Sequence, residues 1–127
     1  MNDKFVRYDI EGFANDLEVD LLTISTLYSE YLLEMKINIE ESMDFLKKKD
    51  WHMLQHKVHN MKGISSTLRV DDIYSAANDL DMDLKRGECL KAEESILSII
   101  NLFNLAEKDI KHFFHQNNIF IWLLKGR

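Results

Sequence analysis

The chain of 127 residues has a formal net charge of −6 and contains no proline, four glycines and one cysteine. This length fits one domain with its own core, so residues 1–127 are expected to form a single domain. The acidic balance disfavours nucleic-acid binding, because phosphate backbones attract basic surfaces, and the basic run at 47–49 is too short for a polybasic membrane patch.

The scarcity of proline and glycine favours helices along the chain. The first predicted helix spans about 9–17, with Ile10, Phe13 and Leu17 on one stripe. A long second helix spans about 20–49, and Asp20 can cap its first turn. Apolar side chains recur along it every three or four residues, which predicts one buried face. This face consists of Leu21, Ile24, Leu27, Tyr28, Tyr31, Met35, Ile39, Met43 and Leu46.

Three further helices are predicted in the second half of the chain. The third spans about 51–68 with Asp50 as its N-cap, the fourth runs from 71 or 72 to 86, and the fifth spans about 90–116. Each carries one apolar stripe. The three stripes are Trp51, Leu54, Val58, Met61 and Leu68; Ile73, Ala77, Leu80 and Leu84; and Ile96, Ile99, Phe103, Ala106, Ile110 and Phe113.

Four long amphipathic helices with short connections predict an all-α fold, an up-down antiparallel four-helix bundle over about 9–117 with a short extra N-terminal helix. Phe5, Tyr8 and Phe13 are expected to cover one end of the core. The apolar tail 118–127 allows two interpretations. It either folds back over one end of the bundle or serves as a docking or self-association segment.

The third helix carries the most informative stretch of the sequence, from His56 to Gly63. At about 100° per residue, His59 points about 130° away from the buried side of this helix, toward solvent. Lys62 and Gly63 flank it one turn further on, and His56 lies in the same sector one turn earlier. An exposed, largely neutral imidazole is a good nucleophile at physiological pH.

The neighbours of this histidine suit phosphoryl chemistry. Lys62 can neutralise phosphoryl oxygens, and Gly63 leaves space beside the ring for a phosphoryl group and a partner's active site. A glycine inside a helix costs about 0.5–1 kcal/mol, so it needs a reason. His52, His56 and His59 share one angular sector, but no carboxylate or cysteine joins them, so we predict no metal site.

The pattern His59-x-x-Lys62-Gly63 resembles the signature of histidine-phosphotransfer (HPt) domains. The resemblance extends over about residues 8–115 and includes the lead-in at 8–10 and the segment 86–88. It implies that the distal ring nitrogen of His59 is phosphorylated by, and passes phosphate to, aspartates of response-regulator receiver domains. It further implies a phosphocarrier without autonomous catalysis, ATP or a metal of its own, because the partner supplies the magnesium ion.

Two positions depart from the family pattern. Arg69 stands where the family usually has glycine, so either the turn differs or Arg69 is strained, and its charge could also lie near the site. Asp81 stands on the fourth helix where family members often place an amide that holds the proximal nitrogen of the histidine. A carboxylate could fix the tautomer more strongly but would repel a phosphoryl group. Asn78 and Lys85 lie one turn away from it.

The sequence leaves two classes of function open. One is a relay intermediate that works with a receiver domain or a hybrid sensor histidine kinase. The other is a non-transferring bundle that binds such a partner without chemistry. An enzyme finds little support, since no Gly-rich phosphate loop or nucleophile elbow is present. The single Cys89 and the lack of a signal-peptide pattern or membrane span predict a cytoplasmic protein, expected to be a monomer.

Overall fold

A computed structural model describes residues 7–121 of the chain. Over this range the chain forms α-helices and no β-strand, which confirms the predicted all-α class. Each helix begins and ends within two residues of its predicted bounds. The helices are α1 (Ile10–Leu17), α2 (Leu21–Lys48), α3 (Trp51–Thr67), α4 (Asp71–Lys85) and α5 (Ala92–Gln116).

Aspartate caps fix where the first three helices begin. Asp9, Asp20 and Asp50 each accept a hydrogen bond from a backbone N–H in the first turn of their helix, at 3.0, 2.8 and 3.2 Å. Such caps satisfy donors that have no partner within the helix. Helices α1 and α2 end where Glu18 and Lys49 adopt the left-handed conformation, with φ of 59° and 55°. The residue at which α3 begins is thus set locally by Asp50.

The four long helices enclose one core. Helix α3 packs against α2 and α4, and α5 completes the ring by contacting both α4 and α2, while α1 lies against α2. Tyr28 lies at the centre of an aromatic group, with ring centroids 6.3 Å from Phe13 and 6.0 Å from Phe114. Its hydroxyl donates a hydrogen bond of 2.6 Å to the carbonyl of Leu68. The core therefore ties α1, α2 and α5 to the turn that precedes α4.

Some predicted inward positions are wrong. Leu17, Leu27 and Met43 are 47 %, 39 % and 45 % exposed, and the fully buried ring near the end of α5 is Phe114, where the sequence favoured Phe113. The reason is that spacings of three and four both fit a helix of 3.6 residues per turn. After Ile39 the buried side of α2 continues with Ser42, three residues on, so Met43 faces outward.

Both ends of the described chain lie against this core. Tyr8 and Phe13 are 8 % and 6 % exposed, and Tyr8 donates a hydrogen bond of 3.0 Å to Asp72. At the other end Ile121 is 7 % exposed and Phe120 contacts the ring of His115. The beginning of the apolar tail therefore folds back onto the helical core. The expectations for Phe5 and for the tail beyond residue 121 lie outside the described residues.

Within residues 7–121, none of the helices combines the length and apolarity that crossing a bilayer requires.

Arg69 itself adopts the left-handed conformation, with φ of 60°, at the turn between α3 and α4. Of the two alternatives from the sequence, the structure therefore has the strained residue. Its guanidinium donates to Asp16 at 2.8 Å and lies 4.5 Å from the centroid of the Phe13 ring. These contacts hold the turn against α1 and offset part of the backbone strain.

We expect Arg69→Ala to lower the free energy of unfolding by about 1 kcal/mol more than Arg69→Gly does. Both variants lose the contacts with Asp16 and Phe13, but glycine also relieves the positive φ, whereas alanine keeps the strain. Urea unfolding of the two variants beside the wild type measures the difference. Equal stability of the two variants would show that the turn stores no strain.

Candidate functional site

Helix α3 places His59 at the surface because its opposite side is buried. Leu54, Val58 and Met61 are 0 % exposed, whereas the side chain of His59 is 55 % exposed. A helix cannot bury these three positions without turning residue 59 outward. The packing of α3 against its neighbours therefore presents this imidazole to solvent.

Asp81 extends from α4 to the foot of His59 and is fully buried, with 0 % of its side chain exposed. Its Oδ2 lies 3.2 Å from Nδ1 of His59, 2.9 Å from Nζ of Lys62 and 3.3 Å from Nζ of Lys85. Its Oδ1 accepts a hydrogen bond of 2.6 Å from Nε2 of Gln55. We call these five residues the Asp81 cluster. One buried carboxylate thus joins three side chains of α3 to α4.

This arrangement determines the tautomer of His59. An ionised carboxylate only accepts hydrogen bonds, so the ring must donate from Nδ1 to Asp81. The lone pair of the neutral imidazole then lies on Nε2, the distal nitrogen. Nε2 has no hydrogen-bond partner among residues 7–121. The ring therefore offers a free nucleophilic nitrogen at the surface.

The electrostatics of the cluster keep Asp81 charged. Burial raises the pKa of the Asp81 carboxyl, but hydrogen bonds from Gln55, Lys62, His59 and Lys85 outweigh burial and hold this pKa well below its usual value. The carboxylate balances only one of the two lysines bonded to it. Within the Asp81 cluster, one positive charge is therefore not balanced, which favours the approach of an anion to His59.

We expect the stability advantage of the wild-type chain over an Asp81→Asn variant to shrink in acid. The pKa of Asp81 is lower in the folded chain than in the unfolded chain, so the unfolded state binds the proton first as pH falls. The stabilisation that ionised Asp81 contributes is fully present above about pH 4 and disappears as pH falls through the pKa of Asp81 in the folded chain. Each unit by which folding lowers this pKa is worth about 1.4 kcal/mol. Urea unfolding across this range measures it, and a constant difference between the two chains would contradict the prediction.

Gly63 lies one turn beyond His59 on the exposed side of α3. A Cβ atom built on it meets no heavy atom within 4 Å. The glycine is therefore not required by any contact among the described residues, although it weakens the helix by about 0.5–1 kcal/mol. What it provides is open surface next to the imidazole.

The other residues singled out from the sequence lie around this cluster or away from it. Lys85 belongs to the cluster, and His56 is exposed on α3, where its ring contacts that of His52 at a centroid distance of 4.8 Å. The guanidinium of Arg69 donates a hydrogen bond to Asp16, so this side chain contacts α1 and does not belong to the cluster. The amide of Asn78 lies 3.7 Å from the sulfur of Met82.

Among residues 7–121, no group of three or more His, Cys, Asp or Glu side chains could hold a metal ion.

Gln55 is the member of the cluster that sequence reasoning missed. It stands four residues before His59 and therefore lies on the same side of α3, which is the spacing that could have revealed it. Its amide holds Oδ1 of Asp81, leaving Oδ2 for His59 and the lysines.

Comparison of the chain with protein-family models, curated proteins and solved structures gives no match. The functional argument therefore depends on the geometry of the site and on the residues of the motif.

Proposed function

We propose that this protein is a histidine phosphocarrier of a two-component phosphorelay. His59 accepts a phosphoryl group from the aspartyl phosphate of a response-regulator receiver domain and donates it to another such aspartate. The observation that supports this most is an exposed imidazole whose Nδ1 is held by a buried carboxylate, with two lysines alongside. Nucleophile, orientation and charge compensation are the requirements of phosphoryl transfer.

The transfer step uses these groups directly. The Nε2 lone pair of His59 forms a bond to phosphorus while the bond from phosphorus to the aspartyl oxygen of the partner breaks, and the electrons of that bond leave with the carboxylate. Lys62 and Lys85 both bond to Oδ2 of Asp81, which also contacts His59, and in the proposed step their positive charge compensates the charge of the transferred oxygens. The open surface at Gly63 admits the partner's active site.

The architecture that fits this role is an up-down antiparallel four-helix bundle with α1 across one end. The ring of contacts from α2 through α3 and α4 to α5 supports it, as do the short connections between these helices. In such a bundle α3 and α4 are adjacent, which is what the Asp81 cluster requires. This is also the fold that the resemblance to HPt domains implies.

The proposed partners are a receiver domain, a hybrid sensor histidine kinase or both, in the cytoplasm. The partner supplies the aspartate and the magnesium ion, and this chain supplies the acceptor nitrogen. The protein is therefore proposed to be a carrier and not an enzyme in its own right.

Incubation with phosphorylated receiver domains tests the proposal. A panel of receiver domains is labelled with radioactive acetyl phosphate, freed of the small molecule and mixed with the full chain. We expect label on the chain that is labile in acid and stable in base, as phosphohistidine is. If partners bind the chain but no such label appears with any of them, the non-transferring interaction module is the better description.

A further inference from the structure

We infer that Asp81 keeps a proton on Nδ1 of His59 while Nε2 carries the phosphoryl group, and thereby shortens the lifetime of the phosphohistidine. The inference rests on the proposed function, because it concerns His59 in its phosphorylated state. It adds a property that transfer alone does not require. That property is how long the phosphoryl group survives when no acceptor is present.

Within the part of the chain that the structure describes, the Nδ1 proton has one acceptor, which is Asp81. Oδ2 of Asp81 lies 3.2 Å from Nδ1, and the carboxylate is 0 % exposed. Its other oxygen is held by Gln55 at 2.6 Å, so the carboxylate is fixed in orientation. A negative oxygen is therefore held against this edge of the ring.

The contact between Asp81 and Nδ1 acts differently on a phosphorylated ring that has a proton on Nδ1 and on one that has lost it. When Nε2 bonds to phosphorus, the ring is positively charged as long as Nδ1 keeps its hydrogen. Loss of that proton would leave a lone pair on Nδ1 facing the buried carboxylate, which is unfavourable. The protonated ring is therefore favoured. It is also the better leaving group, because it departs from phosphorus as neutral imidazole.

Spontaneous loss of the phosphoryl group then proceeds by hydrolysis. A water oxygen forms a bond to phosphorus, the N–P bond breaks, and its electron pair returns to Nε2. The products are inorganic phosphate, which takes up both hydrogens of the water, and neutral His59 with its hydrogen still on Nδ1. The leaving imidazole therefore needs no additional proton when the N–P bond breaks.

The other charges around the ring also favour loss of the Nδ1 proton when Asp81 is replaced. Lys62 on α3 and Lys85 on α4 disfavour a positive ring, but both are bonded to Oδ2 of Asp81. An Asp81→Asn substitution removes the anion and leaves both lysines without it. An asparagine can also turn its NH₂ toward Nδ1 and stabilise the neutral ring.

The first experiment uses the wild-type chain and no partner. The full chain is phosphorylated with phosphoramidate, and the ring nitrogens of His59 are followed by ¹⁵N NMR, with His59→Gln used to assign the resonance. We expect Nδ1 to remain protonated at about pH 8, where a free phosphoimidazole is largely neutral. A deprotonated Nδ1 at that pH overturns the inference.

The second experiment measures the half-life of the phosphohistidine against pH. We expect Asp81→Asn to lengthen it by about tenfold near pH 8, the effect of one pH unit in proton affinity, and to leave it unchanged in acid, where both rings are protonated. The matched control is Asp83→Asn, since Asp83 lies on the same helix and pairs with Arg86. An equal or shorter half-life for Asp81→Asn at every pH overturns the inference, and if this variant does not fold, the wild-type NMR measurement decides.

Failure of the inference and failure of the proposed function give different results. Chemical phosphorylation needs no receiver domain, so the half-life and the ring protonation are measured even if no receiver transfers phosphate. A chain that exchanges phosphate with a receiver but shows no effect of Asp81 retains the proposed function and loses the inference.

Discussion

The His59→Gln variant is expected to take up no acid-labile phosphate from a phosphorylated receiver domain while keeping the fold of the wild type. Glutamine has no imidazole nitrogen to attack phosphorus. Its side chain occupies a position that is 55 % exposed in the histidine, so the substitution removes little packing. The measurement is the label on the chain after rapid mixing with the charged receiver, together with the urea midpoint as a check of folding.

His56→Gln is the matched control for this variant. His56 is also exposed on α3, one turn earlier, and its ring contacts that of His52 but no member of the Asp81 cluster. We expect it to accept label at close to the wild-type rate. Label that persists in His59→Gln and disappears in His56→Gln would move the acceptor to the other histidine and refute the proposed site.

A side chain introduced at position 63 is expected to separate function from stability. Gly63→Gln should raise the free energy of unfolding by about 0.5–1 kcal/mol, because glycine weakens a helix and a new Cβ meets only open space. The same variant should slow transfer from a receiver at least tenfold, roughly 1.4 kcal/mol in the barrier, because the side chain occupies the surface next to His59. Stopped-flow transfer kinetics and urea unfolding measure the two effects.

Two variants serve as controls for Gly63→Gln. Gly63→Ala should gain similar stability while slowing transfer far less, because its single methyl group projects only a short way. Asn104→Gln changes an exposed position on α5, and it should leave the transfer rate unchanged and alter stability by only a few tenths of a kcal/mol. A Gly63→Gln variant that transfers phosphate as fast as the wild type would mean that no partner approaches across this surface.

The helices of this protein were predictable because their signals are local. Asp20 and Asp50 cap the helices that the sequence assigns to them, and apolar spacing fixes the general direction of each buried side. The finer choice between adjacent residues was not predictable. Ser42 and Met43, like Phe113 and Phe114, both fit the spacing, and the neighbouring helices decide which one is buried.

The candidate site divides in the same way. His59, Lys62 and Gly63 lie on one helix, so helical angles alone were enough to place them together. The contacts of Asp81 depend on how α4 is aligned against α3, and this alignment is set by the packing of many core residues. Asp81 and Lys85 could therefore be suggested by position but their distances could not, and Arg69 shows that a charge close in sequence can belong to another surface.

The small size of α1 has a consequence for the order in which the molecule assembles. Isolated helices shorter than about 12–15 residues are marginal in water, and α1 has eight residues. Its anchors are Phe13 against Tyr28 and Asp16 against Arg69, and both partners are in place only after α2, α3 and the α3–α4 turn have formed. We therefore expect docking of α1 to be a late step in folding, after the Asp81 cluster on α3 and α4 has formed.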